Sequence, residues 1–305
     1  MPRFLRSGCN GLLTAGLLLA GLFGLATMAA ADDALRPFIL APDDAAAPDV
    51  RLDQARGALE EAGFEVVGEY TPHAEARVLV VTSEELLQAA AATDSSAYAA
   101  AQRVAVTTTE EGTELAYTNP RYMAAAYRLD EDLDGVASAM EAALGRARDF
   151  GSEEGISVRD LNRYRYMFGM PRFHDRLTLA THPSHAAAVA AVEAGLAAGA
   201  GDTAQVYRID IPGQNQVLFG VAILEGEGAD ALVMEKIDRQ SPHHTPHLPY
   251  ELLVDGTSVE SQDAHFRIAI NFPDLSMMGK GGFMSIRSAP DAIEESLTAV
   301  ATYRR

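Results

Sequence analysis

The chain has no tryptophan, and its single cysteine, Cys9, lies within the first ten residues. Phe and Tyr together make up only 7% of the sequence, which argues against a stacking platform for sugars or bases. Cationic side chains are also scarce: 24 Lys+Arg face 43 Asp+Glu, for a formal net charge of −19. A field of that sign repels phosphate backbones and anionic lipid headgroups. It sets nucleic acid aside as a partner and favours solubility and cationic ligands.

The first residues read MPRFLRSGCNGLLTAGLLLAGLFGLATMAAADDA. Arg3 and Arg6 precede an apolar run over about residues 12–25, and Ala29-Ala30-Ala31 precede Asp32. This is the pattern of a secretory signal peptide over residues 1–31, and it predicts a periplasmic protein. The apolar core is shorter than the ~20 residues of a membrane span, so no span is expected after cleavage. Cys9 comes before the apolar run, the wrong side for acylation, and would leave with the peptide. The remaining chain would then have no thiol nucleophile, disulfide or thiolate ligand. His, Met, carboxylates and Tyr are left as ligands.

Residues 32–305 exceed the usual size of one domain. The reading is a Pro/Asp/Ala linker over 32–50, a first α+β domain over 51–147, a connector over 148–175 and a second α+β domain over 176–305. In the first half, Leu52, Ala55, Leu59 and Ala62 mark one helical face ahead of Gly63, a residue suited to a left-handed cap. Residues 64–70 and 77–81 read as strands, 84–101 as an Ala-rich helix, and 103–107 with 113–118 as a hairpin turning at Glu111-Gly112. Asp130 or Asp132 is placed to cap a helix burying Leu133, Val136, Met140 and Leu144. In the second half, 177–181 reads as a strand, Ser184 caps an Ala-rich helix ending near Gly199, and 205–211 with 216–223 form a hairpin. Residues 231–237, 250–254 and 266–271 read as further strands. Ser288-Ala289-Pro290-Asp291 opens a last helix as a capping box, with Ile293, Leu297 and Val300 on its buried face.

Set side by side, the halves repeat this order. Asn119-Pro120-Arg121-Tyr122-Met123 is matched by Asn271-Phe272-Pro273-Asp274-Leu275-Ser276-Met277. The expectation is two duplicated α+β domains, each an antiparallel sheet backed by two main helices, packed as a covalent pseudo-dimer. Gly63-Phe64-Glu65-Val66-Val67 after a helix, the strand near Arg103, the Asn119-Pro120 loop with Met123, and Leu248-Pro249 leading into Tyr250-Glu251-Leu252-Leu253-Val254 resemble the domain of unknown function family 302. The resemblance covers about residues 51–144 and, more weakly, 178–300. It implies a small α+β fold, a helix-backed antiparallel sheet that often pairs, and it implies no activity. That family often has Cys after the Leu-Pro, where Tyr250 stands here.

Residues 240–284 hold the densest set of reactive side chains. His243, His244 and His247 are interrupted by Pro246, which rules out helical spacing, and clustered imidazoles can supply nitrogens to one ion. Met277, Met278 and Met284 bracket Lys280-Gly281-Gly282. Thioethers suit cuprous copper, so His243, His244, His247, Met277 and Met278 form the candidate metal set, with packing as the competing explanation for the methionines. The connector offers a second set, Tyr164, Tyr166, Met167, Met170 and His174, read as a haem or small apolar ligand pocket or as an apolar dock between the halves. Gly-x-Ser-x-Gly is absent, and the Gly226-Gly228 loop is too acidic for a pyrophosphate. The sequence thus points to a non-enzymatic binding or accessory protein, with copper as first ligand. The alternative is a structural or interaction module meeting an unknown protein partner or small ligand, and a homo-oligomer fits either.

Overall fold

The computed structural model describes residues 34–92 and 96–304. The leader-like segment, with Arg3, Arg6, Cys9 and Ala29 to Ala31, lies outside them.

Strands with apolar side chains on both faces need cover on both faces. In β3 (Ala76–Thr82), Val78 and Val80 point one way and Leu79 and Val81 the other, all with no exposed surface. In β4 (Gln102–Thr109), Val104 and Val106 join the Leu79 side, and Ala105 joins the Val78 side. The chain answers with four layers. An antiparallel sheet takes the order β2 (Glu65–Tyr70), β3, β4, β5 (Gly112–Thr118), β1 (Phe38–Leu40), β6 (Arg148–Phe150). A second antiparallel sheet takes the order β7 (Leu177–Thr181), β11 (Ser258–Ser261), β10 (Tyr250–Asp255), β9 (Gln216–Ile223), β8 (Thr203–Asp210).

Helices α1 (Pro48–Glu61) and α4 (Asp134–Leu144) cover the outer face of the first sheet through Leu52, Leu59, Val136 and Met140. Helices α6 (His185–Ala197) and α9 (Ala289–Ala301) cover the second through Val192, Ile293 and Leu297. The inner faces meet in a shared core, where Val78, Val80 and Ala105 lie with Ile209, Leu218 and Leu253. Each such side chain contributes roughly 1.5–3 kcal/mol on burial, so the seam between the sheets is as strongly held as either outer core. Residues 32–305 accordingly form one compact unit. Tyr122 of α3 (Pro120–Ala126) donates its hydroxyl to the Ile270 carbonyl of α8 (Ala264–Asn271) at 2.7 Å, tying the halves again.

Both halves run strand, helix, two strands, helix, 3₁₀ turn, two strands and two helices. The first half uses β1, α1, β2, β3, α2 (Glu84–Ala92), the turn Ser96–Ala100, β4, β5, α3 and α4. The second uses β7, α6, β8, β9, α7 (Asp230–Ile237), the turn Thr245–His247, β10, β11, α8 and α9, with a further 3₁₀ turn at Phe283–Ile286 before α9. β6 and α5 (Val158–Leu161) lie between them.

The α+β class and most strands match the sequence reading. Gly63, at φ 89°, closes α1 with Phe64 N–H on the Leu59 carbonyl and Gly63 N–H on that of Glu60, the paired bonds of a left-handed cap. Several elements differ. Residues 231–237 and 266–271 are helical, α7 and α8, and Asp263 caps α8 by accepting from His265 N–H at 2.8 Å. The expected helix over 84–101 stops at Ala92 and is followed by the 3₁₀ turn. The expected linker carries β1, whose partners are β5 and β6. Pro120 opens α3 whereas Asn271 ends α8, so the two Asn/Pro segments occupy opposite ends of corresponding helices. Leu133, at φ 58°, precedes α4, and Asp132 supports the turn by accepting from Asp134 N–H. Ser288 makes no capping bond; its hydroxyl reaches Glu227 at 3.0 Å.

Candidate functional site

Pro246 and the 3₁₀ turn Thr245–His247 rotate the three clustered histidines onto different faces. His243 is half-buried against β5, where its Nδ1 lies 3.0 Å from Glu114 Oε2 and its backbone N–H donates to the same oxygen. The Glu114 hydrogen bond raises the His243 pKa above its ordinary value. His244 stacks on Phe272 at 4.5 Å between ring centroids and bonds the Asn271 carbonyl through Nδ1 at 2.9 Å. Burial lowers its pKa to about 4. His247 has no exposed surface. Its Nδ1 faces Arg267 at 3.4 Å and its Nε2 faces Tyr250 Oη at 3.2 Å, and burial pushes its pKa well below the usual imidazole value. Every imidazole therefore has a protein partner of its own. Among the described residues no group of three or more His, Cys, Asp or Glu is placed to hold a metal ion.

His247 belongs instead to a polar network sealed in the seam. Arg103 of β4 pairs with Glu251 of β10, and Arg267 of α8 reaches the other Glu251 oxygen at 3.3 Å. Tyr207 donates to Glu251 Oε1 at 3.1 Å, and Arg267 Nη2 donates to the His247 carbonyl at 2.6 Å. Arg103 and Arg267 are each 1% exposed and Glu251 is 4% exposed, so two guanidinium groups share one buried carboxylate. Such a network fixes how the two sheets register, because any slip strands a charge away from water. Sequence reading gave these residues no role. The hint was an Arg, a Glu and a second Arg inside otherwise apolar runs.

The methionine loop is built by local backbone needs. Gly279 and Gly281 adopt φ 95° and 83°, and a Cβ on Gly282 would meet the Ser276 and Met278 carbonyls at 2.7 and 2.8 Å. The glycines thus let the loop fold on itself, with Phe283 N–H on the Ser276 carbonyl and Met284 N–H on that of Met277. Lys280 and Gly281 edge a cleft of about 680 Å³ that is also lined by Arg148, Arg239, Asp238 and Asp274. Burial raises the Asp238 carboxyl to about 7.

The connector lies against this loop. Tyr164 donates to the Ala269 carbonyl at 2.9 Å and Tyr166 to that of Leu275 at 2.6 Å. Phe173 stacks on Tyr127 at 5.2 Å. Met170 and Tyr166 share one small apolar cavity with Met277, His265 and Phe283. The structure therefore brings together one member of each methionine set, Met170 and Met277, and adds His265. Met167 and Phe168 of the connector are 46% and 97% exposed, and Met278 and Met284 of the loop are 73% and 41% exposed. His174 is exposed and faces Asp175 at 3.7 Å.

No family model matches the chain, no curated protein is similar to it above the level of chance, and no solved structure matches it. Geometry is then the guide to function. No helix among the described residues is long and apolar enough to cross a membrane.

Residues 130–141 also carry the Asp-x-Asp-x-Asp-Gly-x5-Glu spacing of a calcium loop, a match the sequence reading passed over. The fold uses those residues differently: α4 begins at Asp134, so Gly135 is helical, Asp134 pairs with Arg121, and Glu141 pairs with Arg146.

Proposed function

We propose that the protein is an exported, non-enzymatic binding or accessory protein that works through the end where the connector meets the methionine loop. The reading rests on the surface chemistry of that end: Met167, Phe168, Met278 and Met284 are left in water on two loops that share a cavity wall. Large apolar side chains grouped outside a core mark a contact surface, and flexible thioethers adapt to varied partners. The leader-like sequence of the first 31 residues supports export and a working end in the periplasm.

We also infer that the chain arose by duplication and forms a covalent pseudo-dimer. The repeated element order supports this, as does the matching strand order, β2-β3-β4-β5-β1 against β8-β9-β10-β11-β7. The register adds a finer match: β2 and β8 each carry a bulge, at Val66/Gly68 and Gln205/Tyr207. A helix-backed antiparallel sheet that pairs is also what the resemblance to the family 302 domain implies. Size weighs against haem at the connector, since the cavity there is about 10 Å³ and pockets for ligands of that class run to roughly 300–1,000 Å³.

The test is site-specific photo-crosslinking in an exporting bacterial host. A photoreactive residue at position 168 is expected to give a discrete adduct that Met278→Ser weakens. The same group at Leu224, an apolar residue 59% exposed elsewhere, is expected to give none. Absence of an adduct at 168, or an identical adduct at both positions, would remove the basis for the reading.

A further inference from the structure

In a chain with 43 acids and 24 Lys+Arg, cations have carboxylates to spare. Around the cleft of about 680 Å³ beside the methionine loop the pairing runs the other way. Asp149 gives both oxygens to Arg146 at 2.7 and 2.8 Å. Asp274 accepts from Ser152 Oγ at 3.4 Å and from Glu153 N–H at 2.6 Å, which ties the segment after β6 to the one after α8. Asp238 holds the His244 backbone N–H at 3.0 Å, and its carboxyl, raised to about 7, is partly protonated near neutral pH. Of the wall carboxylates only Glu153 has no partner among the described residues. Arg148, Arg239 and Lys280 on the same wall are exposed, and none of them forms a hydrogen bond or ion pair among the described residues. We propose that this cleft binds a small aromatic carboxylate carrying a ring hydroxyl, with the carboxylate at Arg239 and Lys280 and the hydroxyl on His244.

The cationic pole is set by the backbone of the methionine loop. At Gly281, φ is 83°, and a Cβ there would lie 3.3 Å from Arg239 Cδ and 3.4 Å from the Lys236 carbonyl. The bare backbone therefore rests against the Arg239 stem and brings Lys280, the preceding residue, to the same edge. Two cations side by side without a counter-charge repel each other, and an incoming carboxylate relieves that repulsion while taking paired N–H bonds from the guanidinium fork. Arg148 on β6 also borders two neighbouring clefts, so its part is attraction and not a fixed contact.

His244 supplies the opposite pole. Its Nδ1–H donates to the Asn271 carbonyl at 2.9 Å, which leaves the lone pair on Nε2. That nitrogen has no protein partner among the described residues and is not sealed from solvent. With a pKa of about 4 the ring is neutral at ordinary pH, so Nε2 accepts a hydrogen bond without adding charge. The ring stacks on Phe272 and meets Phe150 at 5.5 Å, and Ile237 and Leu275 extend this apolar side of the cleft. A flat hydrocarbon body suits such a wall, and the volume falls within the roughly 300–1,000 Å³ of small-molecule sites. The net charge of −19 selects against polyanions. A single carboxylate feels little of that field, because charges beyond about 8 Å are screened at physiological salt.

The test is a ligand-observed NMR titration of the exported protein with 3- and 4-hydroxybenzoate, benzoate and the two hydroxybenzamides. At least one hydroxybenzoate is expected to bind saturably, with Kd of about 1 mM or below. Its neutral amide is expected to bind at least 10-fold more weakly, and benzoate about 3–10-fold more weakly. Arg239→Gln with Lys280→Gln, both exposed positions, is expected to lower affinity at least 10-fold with an unchanged Tm. Arg163→Gln, at an exposed arginine outside the cleft, is expected to leave affinity unchanged. Absence of saturable binding, equal affinity in the double-glutamine variant, or an amide that binds as tightly as its acid overturns the proposal. Benzoate binding as tightly as both hydroxy acids removes the hydroxyl contact to His244. The crosslink at 168 reads a different surface, so neither experiment's failure can be mistaken for the other's.

Discussion

Replacing Asp230 by Asn isolates a single buried charge at the seam. Asp230 opens α7 and is 2% exposed. Its Oδ2 accepts from Tyr70 Oη and from Ile223 N–H, each at 3.3 Å, while Oδ1 has no hydrogen-bond partner. Burial in that setting raises the carboxyl from 3.8 to about 8. A carboxyl whose folded pKa is raised stabilises the native state while it holds its proton. That stability is complete below the unfolded value and is lost as pH rises through the folded one. Each pKa unit corresponds to about 1.4 kcal/mol, so the interval from pH 6 to the folded value removes about 3 kcal/mol by pH 9. Asn has no proton to lose and keeps an acceptor for Ile223 N–H. Urea unfolding followed by circular dichroism is therefore expected to show Asp230→Asn gaining on the parent as pH rises from 6 to 9. Over that interval the difference is expected to move about 3 kcal/mol in the variant's favour, or roughly 6 °C in Tm for a chain of this size. Asp238, raised to about 7, contributes a slope of the same sign to both proteins and cancels in the comparison. Parallel stability profiles for the two proteins between pH 6 and pH 9 would refute the reasoning.

Glu251→Gln is expected to destabilise by about 3–5 kcal/mol, more than Arg103→Met, because it leaves two buried guanidinium groups without a counter-charge, whereas Arg103→Met leaves Glu251 with Arg267 and Tyr207; denaturant midpoints of the two variants check the order. Gly220→Ala would put a Cβ about 2.1 Å from the Tyr207 ring, and calorimetry is expected to show a loss of about 1–3 kcal/mol as the ring is displaced from Glu251. Phe168→Ser, at a side chain 97% exposed, is expected to change stability by less than about 0.5 kcal/mol, so any lost crosslink at that end reports contact and not unfolding.

The outer layers were legible because their residues obey a single period. Leu52, Ala55 and Leu59 bury one helical stripe, and Val104 and Val106 alternate with Ala105 and Thr107. The misreadings fall where a short apolar run fits two periods. Both 231–237 and 266–271 contain enough Val, Ile or Phe for a strand, and only the acids at their starts, Asp230 and Asp263, hint at helices. β11 went unread because Ser258-Val259-Glu260-Ser261 has one apolar residue, and β1 because it is three residues long and sits before a Pro-rich stretch. At the site, Met170 and Met277 stood out singly, but nothing local says that residues so far apart share a wall. His243, His244 and His247 were conspicuous by adjacency, and adjacency in an irregular segment fixes no common direction. Each found its own partner, in Glu114, the Asn271 carbonyl and Arg267.

The proposed duplication would give a physical reason for the buried network. Gly68, Val80 and Arg103 lie in one register column of the first sheet, and Tyr207, Gly220 and Glu251 lie in the same column of the second, immediately beyond the bulges. Two identical units facing each other there would oppose Arg to Arg or Glu to Glu, a like-charge pair out of water that no hydrogen bond compensates. The two halves as they stand avoid that conflict: Arg103 faces Glu251, and the space left at Gly220 accepts the Tyr207 ring that completes the carboxylate's hydrogen bonds. On the other side, a Cβ on Gly68 would meet the Val206 carbonyl at 2.5 Å, so the strand edges approach only because one column has lost its side chain. Each half is the complement of the other and a poor partner for itself. A covalent link then does more than raise local concentration, since it guarantees the one pairing in which every buried charge is answered.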